Sequence, residues 1–156
     1  MVISDVLSKM DWRRELSGDE REVCSLQGNL FELCQYKLKC DPFEFIEKFM
    51  ESETAHDMDD NYIDYCELDP FEFVQSMGNK IQVSISENKK YHEALFWTGY
   101  VYRYWSYMGL TSKEIIRIFP VEAAYEAYKG LHTLSVKEAI RIYVERWMKH
   151  YVKDSA

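Results

Sequence analysis

An unusually aromatic run constrains the fold of this chain more than any other part of its sequence. Between Leu95 and Met108, seven of fourteen residues are Phe, Trp or Tyr, and a single arginine, Arg103, stands among them. At helical spacing these residues leave the segment apolar around most of its circumference. A helix of this kind is covered on nearly all sides. We therefore predict a central aromatic helix over about 87–108.

Signals for helix starts recur along the chain. In six places a capping residue is followed three positions later by glutamate, the arrangement in which each side chain satisfies a free backbone N–H of the other. These pairs are Ser17/Glu20, Asp41/Glu44, Asp69/Glu72, Ser84/Glu87, Thr111/Glu114 and Ser135/Glu138. One short alternation of apolar residues, at 81–85, is expected to be extended chain because an isolated strand cannot form a sheet.

Length and composition set the domain organisation. A chain of 156 residues with 47% hydrophobic content suits one domain with a substantial core. No stretch resembles a linker between domains. We predict an all-α fold, with residues 1–156 forming a single compact multi-helix domain and residues 1–14 attached more loosely.

One short sequence occurs twice. Asp41-Pro42-Phe43-Glu44-Phe45-Ile46 returns almost unchanged as Asp69-Pro70-Phe71-Glu72-Phe73-Val74. An aspartate cap, a proline in the first turn and phenylalanines that pack the new helix explain the pattern as a helix entry. The alternative is a two-lobed docking surface formed by both copies and the acidic stretch between them.

Acidic residues are concentrated in the first half of the chain. From Asp41 to Glu72 there are twelve carboxylates and one basic residue, Lys48. A solvated face explains such a run, and a surface that attracts a basic partner protein or imitates nucleic acid is the functional alternative. Direct binding of nucleic acid is disfavoured because it requires a basic surface. The candidate partner-binding residues are Asp57, Asp59, Asp60, Asp64 and Glu67.

Known catalytic and metal-binding motifs are missing from the sequence. The four cysteines have no Cys-x-x-Cys spacing, which favours reduced structural thiols over a disulfide frame or a zinc site. The segment that begins at Asp57 resembles a calcium loop only in its first ligands, since Tyr62 and Leu68 replace the required glycine and glutamate. We predict no metal and no cofactor. The chain opens Met1-Val2-Ile3-Ser4-Asp5 without the basic start and apolar run of a signal peptide. Its longest apolar stretch, 94–102, is too short to span a bilayer, and both observations indicate a cytoplasmic protein.

Arg103 is the residue that most needs a specific explanation. A buried, unpaired guanidinium is costly, so we expect it to stack on a tyrosine ring and to pair with an acid from the N-terminal half. The functional alternative is an anion-binding arginine in a tyrosine-lined pocket. That candidate ligand pocket comprises Tyr100, Arg103, Tyr104, His132 and Thr133.

Three blocks of sequence carry a family resemblance. Trp97-x-Gly99-Tyr100-x-Tyr102-Arg103-Tyr104-Trp105, then Thr111-Ser112-Lys113-Glu114-Ile115, then Leu131-His132-Thr133-Leu134 resemble a family of small uncharacterised bacterial proteins often encoded beside toxin and antitoxin genes. The match covers about residues 95–140. The resemblance implies a helical fold and an antitoxin-like role, and it implies no catalytic residues.

Two functional classes follow from the sequence. The first is a non-enzymatic interaction protein whose acidic face, residues 41–72, binds and inhibits a basic-surfaced partner such as a toxin. The second is a binding protein for a small ligand or anion, or an enzyme, with a site around Arg103 and His132. The first accounts for the charge distribution without needing a catalytic motif, and we favour it.

Overall fold

The structure, a computed structural model, describes residues 3–155 and the side chains of residues 5–147. Within that range the chain forms nine α-helices and one isolated bridge between Cys40 and Ile85, so the all-α prediction is confirmed. The helices are α1 Ile3–Leu7, α2 Gly18–Lys37, α3 Pro42–Met50, α4 Glu53–Asp60, α5 Pro70–Lys80, α6 His92–Tyr107, α7 Ser112–Ile118, α8 Val121–Leu131 and α9 Val136–Ser155.

The aromatic helix α6 is the centre of the fold. It packs most extensively against α2 and also contacts α4, α7, α8 and α9. Its crossing with α2 depends on two glycines, since a Cβ atom on Gly99 would lie 2.6 Å from the Gln27 carbonyl oxygen and 2.8 Å from the Gly28 Cα. Backbone atoms cannot move aside as a flexible side chain can. Glycine at this position therefore allows the two helices to approach closely.

The start of α6 differs from the prediction. The helix begins at His92, later than the predicted start near 87, and the Ser84/Glu87 pair begins no helix. The segment before it is held instead by the end of α2. Gln35 accepts a hydrogen bond from the Lys90 backbone N–H at 2.8 Å and donates one to the Lys90 carbonyl at 2.9 Å. These two bonds attach the Lys90 backbone to Gln35 of α2. This tertiary contact overrides the local capping signal.

The other helix-start signals correspond to observed helices. Complete reciprocal capping pairs form at Ser17/Glu20 and Thr111/Glu114. In the remaining three pairs the first residue alone provides the side-chain cap. Asp41 caps α3, Asp69 caps α5 and Ser135 caps α9. Both copies of the Asp-Pro-Phe-Glu-Phe sequence are thus helix entries, as the capping interpretation predicts.

The N-terminal segment is docked along the side of α6 in the part that the structure describes. Val6 and Met10 are buried, the Trp105 Nε1–H donates to the Met10 sulfur at 3.1 Å, and the Asp11 N–H donates to the Met108 carbonyl at 2.7 Å. The looser attachment of residues 1–14 relative to the rest of the domain stays a prediction. Residues 1 and 2 lie outside the described residues.

Two further expectations concern cysteines and membranes. The four cysteines are free thiols, as predicted, and burial raises the pKa of Cys24 to about 12. None of the described helices combines the length and apolar character needed to span a bilayer.

Candidate functional site

Arg103 lies at the centre of a buried polar network in the second half of α6. Its side chain is 0% exposed. The Nε–H donates to Gln27 Oε1 at 2.8 Å, one terminal nitrogen donates to Asp59 at 2.7 Å and to Ser106 at 3.1 Å, and the other donates to Ser112 at 3.1 Å. The guanidinium carbon also lies 5.9 Å from the centre of the Tyr107 ring. The predicted pairing with an acid of the N-terminal half and stacking on a tyrosine are both confirmed.

Asp59 completes this network from the last turn of α4. Its side chain is 6% exposed. One carboxylate oxygen accepts from Arg103 and from the Ser112 hydroxyl at 2.6 Å, and the other accepts from the Ser112 backbone N–H at 2.9 Å. Since Ser112 is the first residue of α7, Asp59 neutralises the buried arginine and satisfies a free N–H at a helix start.

This arrangement changes the role of two predicted site residues. The Arg103 donors are directed at protein acceptors, which leaves the guanidinium enclosed and without access to an anionic ligand. Asp59 belongs to the same buried pair, so it is not part of an exposed acidic face. The partner of Arg103 lies 44 positions away in sequence, and nothing in the local pattern identifies it among twelve carboxylates.

The other acidic candidates lie on the end of α4 and the turn that follows. Asp57 accepts a hydrogen bond from the Tyr65 hydroxyl at 2.6 Å, and Asp64 accepts one from the Asn61 amide at 2.8 Å. Burial and the bond to Asp57 raise the pKa of Tyr65. The side chains of Asp60 and Glu67 are exposed and have no hydrogen-bond or ion-pair partner within the described part of the chain.

Large apolar side chains are exposed in this same acidic region. Ile63 is 69% exposed, Leu68 is 43% exposed and Phe71 is 57% exposed. Phe71 also lines a depression of about 270 Å³ together with Leu38 and Gln75, and the Lys37 ammonium lies 5.2 Å from its ring centre. We define residues 60–71 as the docking segment. The repeat predicts that its phenylalanines pack the new helix, and Phe73 does so, but Phe71 is exposed. The exposure of Ile63 and Leu68 had no signal in the sequence.

A separate cleft opens beside the first half of α6. It has a volume of about 570 Å³ and lies between the first turns of α6, the middle of α2 and the end of α8. The lining combines four aromatic rings with two glutamates and two histidines, namely Phe96, Trp97, Tyr100, Tyr128, Glu32, Glu93, His92 and His132. We refer to it as the aromatic cleft.

Hydrogen bonds fix the polar groups of the aromatic cleft. Glu93 accepts from the Tyr91 hydroxyl at 2.7 Å and from the Tyr128 hydroxyl at 3.1 Å, and these bonds lower the pKa of Glu93. The His92 ring lies 3.3 Å from Glu32. His132 is stacked on Tyr128 with ring centres 4.3 Å apart, and its Nδ1 lies 2.7 Å from the Tyr128 carbonyl. A carbonyl only accepts, so Nδ1 carries the proton and a neutral His132 ring has its lone pair on Nε2.

The predicted ligand pocket is therefore divided by the structure. Tyr100 and His132 line the aromatic cleft, whereas Arg103 and Tyr104 are buried and do not. Thr133 is exposed and lies outside the lining. Sequence reasoning missed the remaining lining residues. The first two turns of α6 supply four of them at helical spacing, but Glu32 and Tyr128 come from other helices and carried no local signal.

Neither a metal cluster nor a known relative adds to this description. Among the residues whose side chains are described, no group of three or more His, Cys, Asp or Glu is arranged to hold a metal ion. Comparison of the chain with protein-family models, with curated proteins and with solved structures finds no match.

Proposed function

We propose that this chain is a non-enzymatic protein-interaction module that binds a basic-surfaced partner protein through the docking segment. The observation that carries the proposal is the exposure of Ile63, Leu68 and Phe71 within the most acidic part of the chain. Acidic residues alone would serve solubility equally well. Three large apolar side chains exposed within nine positions of the same segment favour an interface over solubility alone.

The two kinds of side chain have different roles in the proposed interface. Apolar and aromatic residues at the centre of an interface supply most of the binding energy when they are desolvated. The surrounding carboxylates speed the encounter with a basic surface and disfavour acidic partners. Asp60 and Glu67 are suited to this role because no internal ion pair or hydrogen bond competes for them. Asp57 and Asp64 serve mainly to hold the turn in shape.

The family resemblance adds a specific form of this function. In an antitoxin-like protein, the partner is a toxin and binding blocks the toxin's activity. We propose this form together with a cytoplasmic location. The docking segment contains no lysine or arginine, so direct binding to nucleic acid is not part of the proposal.

The test is a quantitative capture experiment with three immobilised proteins. The first is the natural chain, the second carries Ile63→Ser, Leu68→Ser and Phe71→Ser, and the third carries Asp60→Lys and Glu67→Lys. We expect both variants to lose a specific native partner. Retention by the natural chain should weaken as salt is raised, since exposed charges are screened within about 10 Å at 0.1 M ionic strength.

A matched control separates the docking segment from net charge. Glu126→Lys and Glu145→Lys change the charge by the same amount on exposed positions of α8 and α9. This control should retain the partner. If it loses the partner as the docking-segment variant does, or if both docking variants retain every native partner, the proposal is wrong.

A further inference from the structure

We infer that the aromatic cleft is a binding site for a small organic cation that bears a quaternary ammonium group. The site is distinct from the docking segment, and the inference does not depend on the proposed function. It rests on the charge of the lining, the chemistry of its rings and the size of the opening.

The charge of the lining favours a cation. Glu32 and Glu93 face the cleft, and no lysine or arginine lines it. Two tyrosine hydroxyls donate to the Glu93 carboxylate and favour its ionised form. Two carboxylates therefore line the cleft with no lysine or arginine beside them. An anionic ligand would meet repulsion from both glutamates.

The aromatic rings determine what kind of cation fits. Phe96, Trp97, Tyr100 and Tyr128 provide ring faces and edges in the lining, and the centres of the Trp97 and Tyr128 rings are 6.0 Å apart at an angle of 71°. These two rings contact each other edge to face and His132 is stacked on Tyr128, so Trp97 is the ring that we expect a methylated ammonium group to contact. The negative ring face attracts such a group, and tryptophan and tyrosine are the best aromatic partners.

A metal ion fits this lining less well than an alkylated ammonium. The described residues of the cleft include no cluster that could hold a metal, and aromatic rings replace the oxygen ligands that a hard cation requires. A quaternary ammonium donates no hydrogen bond and needs no acceptor beyond a nearby negative charge. The volume of about 570 Å³ falls within the range of small-molecule sites, which is roughly 300–1,000 Å³.

The ligand test compares choline with a neutral molecule of the same shape. Choline and 3,3-dimethylbutan-1-ol differ in one atom, the quaternary nitrogen, and therefore in charge. We expect isothermal titration of the full chain to show choline binding about tenfold more tightly than the alcohol, the ratio expected for a desolvated cation–π contact. A short peptide with a trimethyl-lysine is a further arm. Tighter binding of the peptide than of choline would assign the ammonium group to a protein side chain.

Variants test whether the binding occurs in the aromatic cleft. Glu93→Gln removes the charge but keeps an oxygen that accepts from both tyrosines, so the fold should be unchanged. We expect this variant and Glu32→Gln each to weaken choline binding by about threefold to tenfold. Trp97→Leu should weaken it by about tenfold or more. Glu126→Gln, an exposed glutamate of α8 outside the lining, is the matched control and should bind as the natural chain does.

Two results would overturn the inference. The first is equal affinity for choline and the neutral alcohol, because the site would then not recognise charge. The second is unchanged choline binding in Glu93→Gln and Trp97→Leu when both variants show the unfolding transition of the natural chain. If Trp97→Leu does not fold, Glu93→Gln decides the question alone, since its carboxylate is exposed and carries no packing.

Discussion

The second half of α6 buries a charged side chain inside the protein, whereas the first half exposes one to a cleft. Around Arg103 the second half is closed, and the guanidinium has Asp59, Gln27, Ser106 and Ser112 as acceptors. Around Glu93 the first half is open, and the carboxylate faces a cleft lined by aromatic rings. A charge whose bonding capacity is met inside the protein supports the fold. A charge that faces an aromatic cavity is available to a ligand.

The closed half shows why the most unusual residue in a sequence need not be functional. An arginine among seven aromatic residues suggests a ligand site, but burying a charge requires a neutralising partner and acceptors for its donors. Asp59 and the two serines meet that requirement. The cost of desolvation is thus offset within the fold, and no ligand is needed to explain Arg103.

The largest expected effect comes from removing the partner of the buried arginine. Asp59→Ala leaves Arg103 without a counter-charge and the Ser112 N–H without its acceptor. We expect the free energy of unfolding to fall by about 3–5 kcal/mol. Glu93→Gln in the open half should change it by less than about 0.5 kcal/mol. Urea denaturation of both variants measures this difference.

Asp60→Ala is the matched control for Asp59→Ala. Asp60 is the next residue along α4 and is exposed, so the variant should unfold like the natural chain. Equal stability of the two alanine variants would contradict the structural role of Asp59.

The next effect concerns the crossing that holds α6 against α2. Gly99→Ala places a Cβ atom 2.6 Å from the Gln27 carbonyl oxygen, so the two helices must separate. We expect a loss of about 1–3 kcal/mol in the free energy of unfolding, even though alanine favours a helix. Thermal unfolding followed by circular dichroism provides the measurement.

Gly130→Ala provides the control for the crossing. Gly130 lies near the end of α8, where a Cβ atom would meet no heavy atom within 4 Å. This variant should be as stable as the natural chain or more stable by up to about 1 kcal/mol. The close approach of α2 and α6 would be refuted by a Gly99→Ala protein that gains stability to the same extent.

The smallest effect is the titration of Glu93 in the open half. Hydrogen bonds from Tyr91 and Tyr128 lower its pKa, so their stabilising contribution is present above the usual carboxyl pKa and is lost as the pH falls through the lowered value. Tyr91→Phe should move the Glu93 pKa back toward 4.5, and Tyr128→Phe should do so to a smaller extent. Carbon-detected NMR of the carboxyl group measures the shift, and a pKa that neither variant changes would argue against this arrangement.

The fold class was predictable from the sequence, but the partners of Arg103 and the residues that line the aromatic cleft were not. Capping pairs and helical spacing are local, so they located most helix starts and identified the aromatic helix as central. The Ser84/Glu87 pair failed because Gln35, on a different helix, binds the Lys90 backbone. Asp59 and Arg103 meet only after α4 and α6 pack together. For the same reason Tyr100 and Arg103, three positions apart, were grouped in one pocket although the packed helices separate them.

One titration tests most directly whether the first half of α6 is open to a ligand while the second half is closed. Trp97 lines the aromatic cleft in the open half, and the Trp105 indole N–H is buried against Met10 near the closed half. An NMR titration of the indole N–H signals with choline therefore monitors both halves in the same sample. We predict a saturable shift of the Trp97 signal with no change at Trp105 or at the Arg103 Nε–H. A shift at Trp105 or Arg103 while Trp97 remains unchanged would contradict the division.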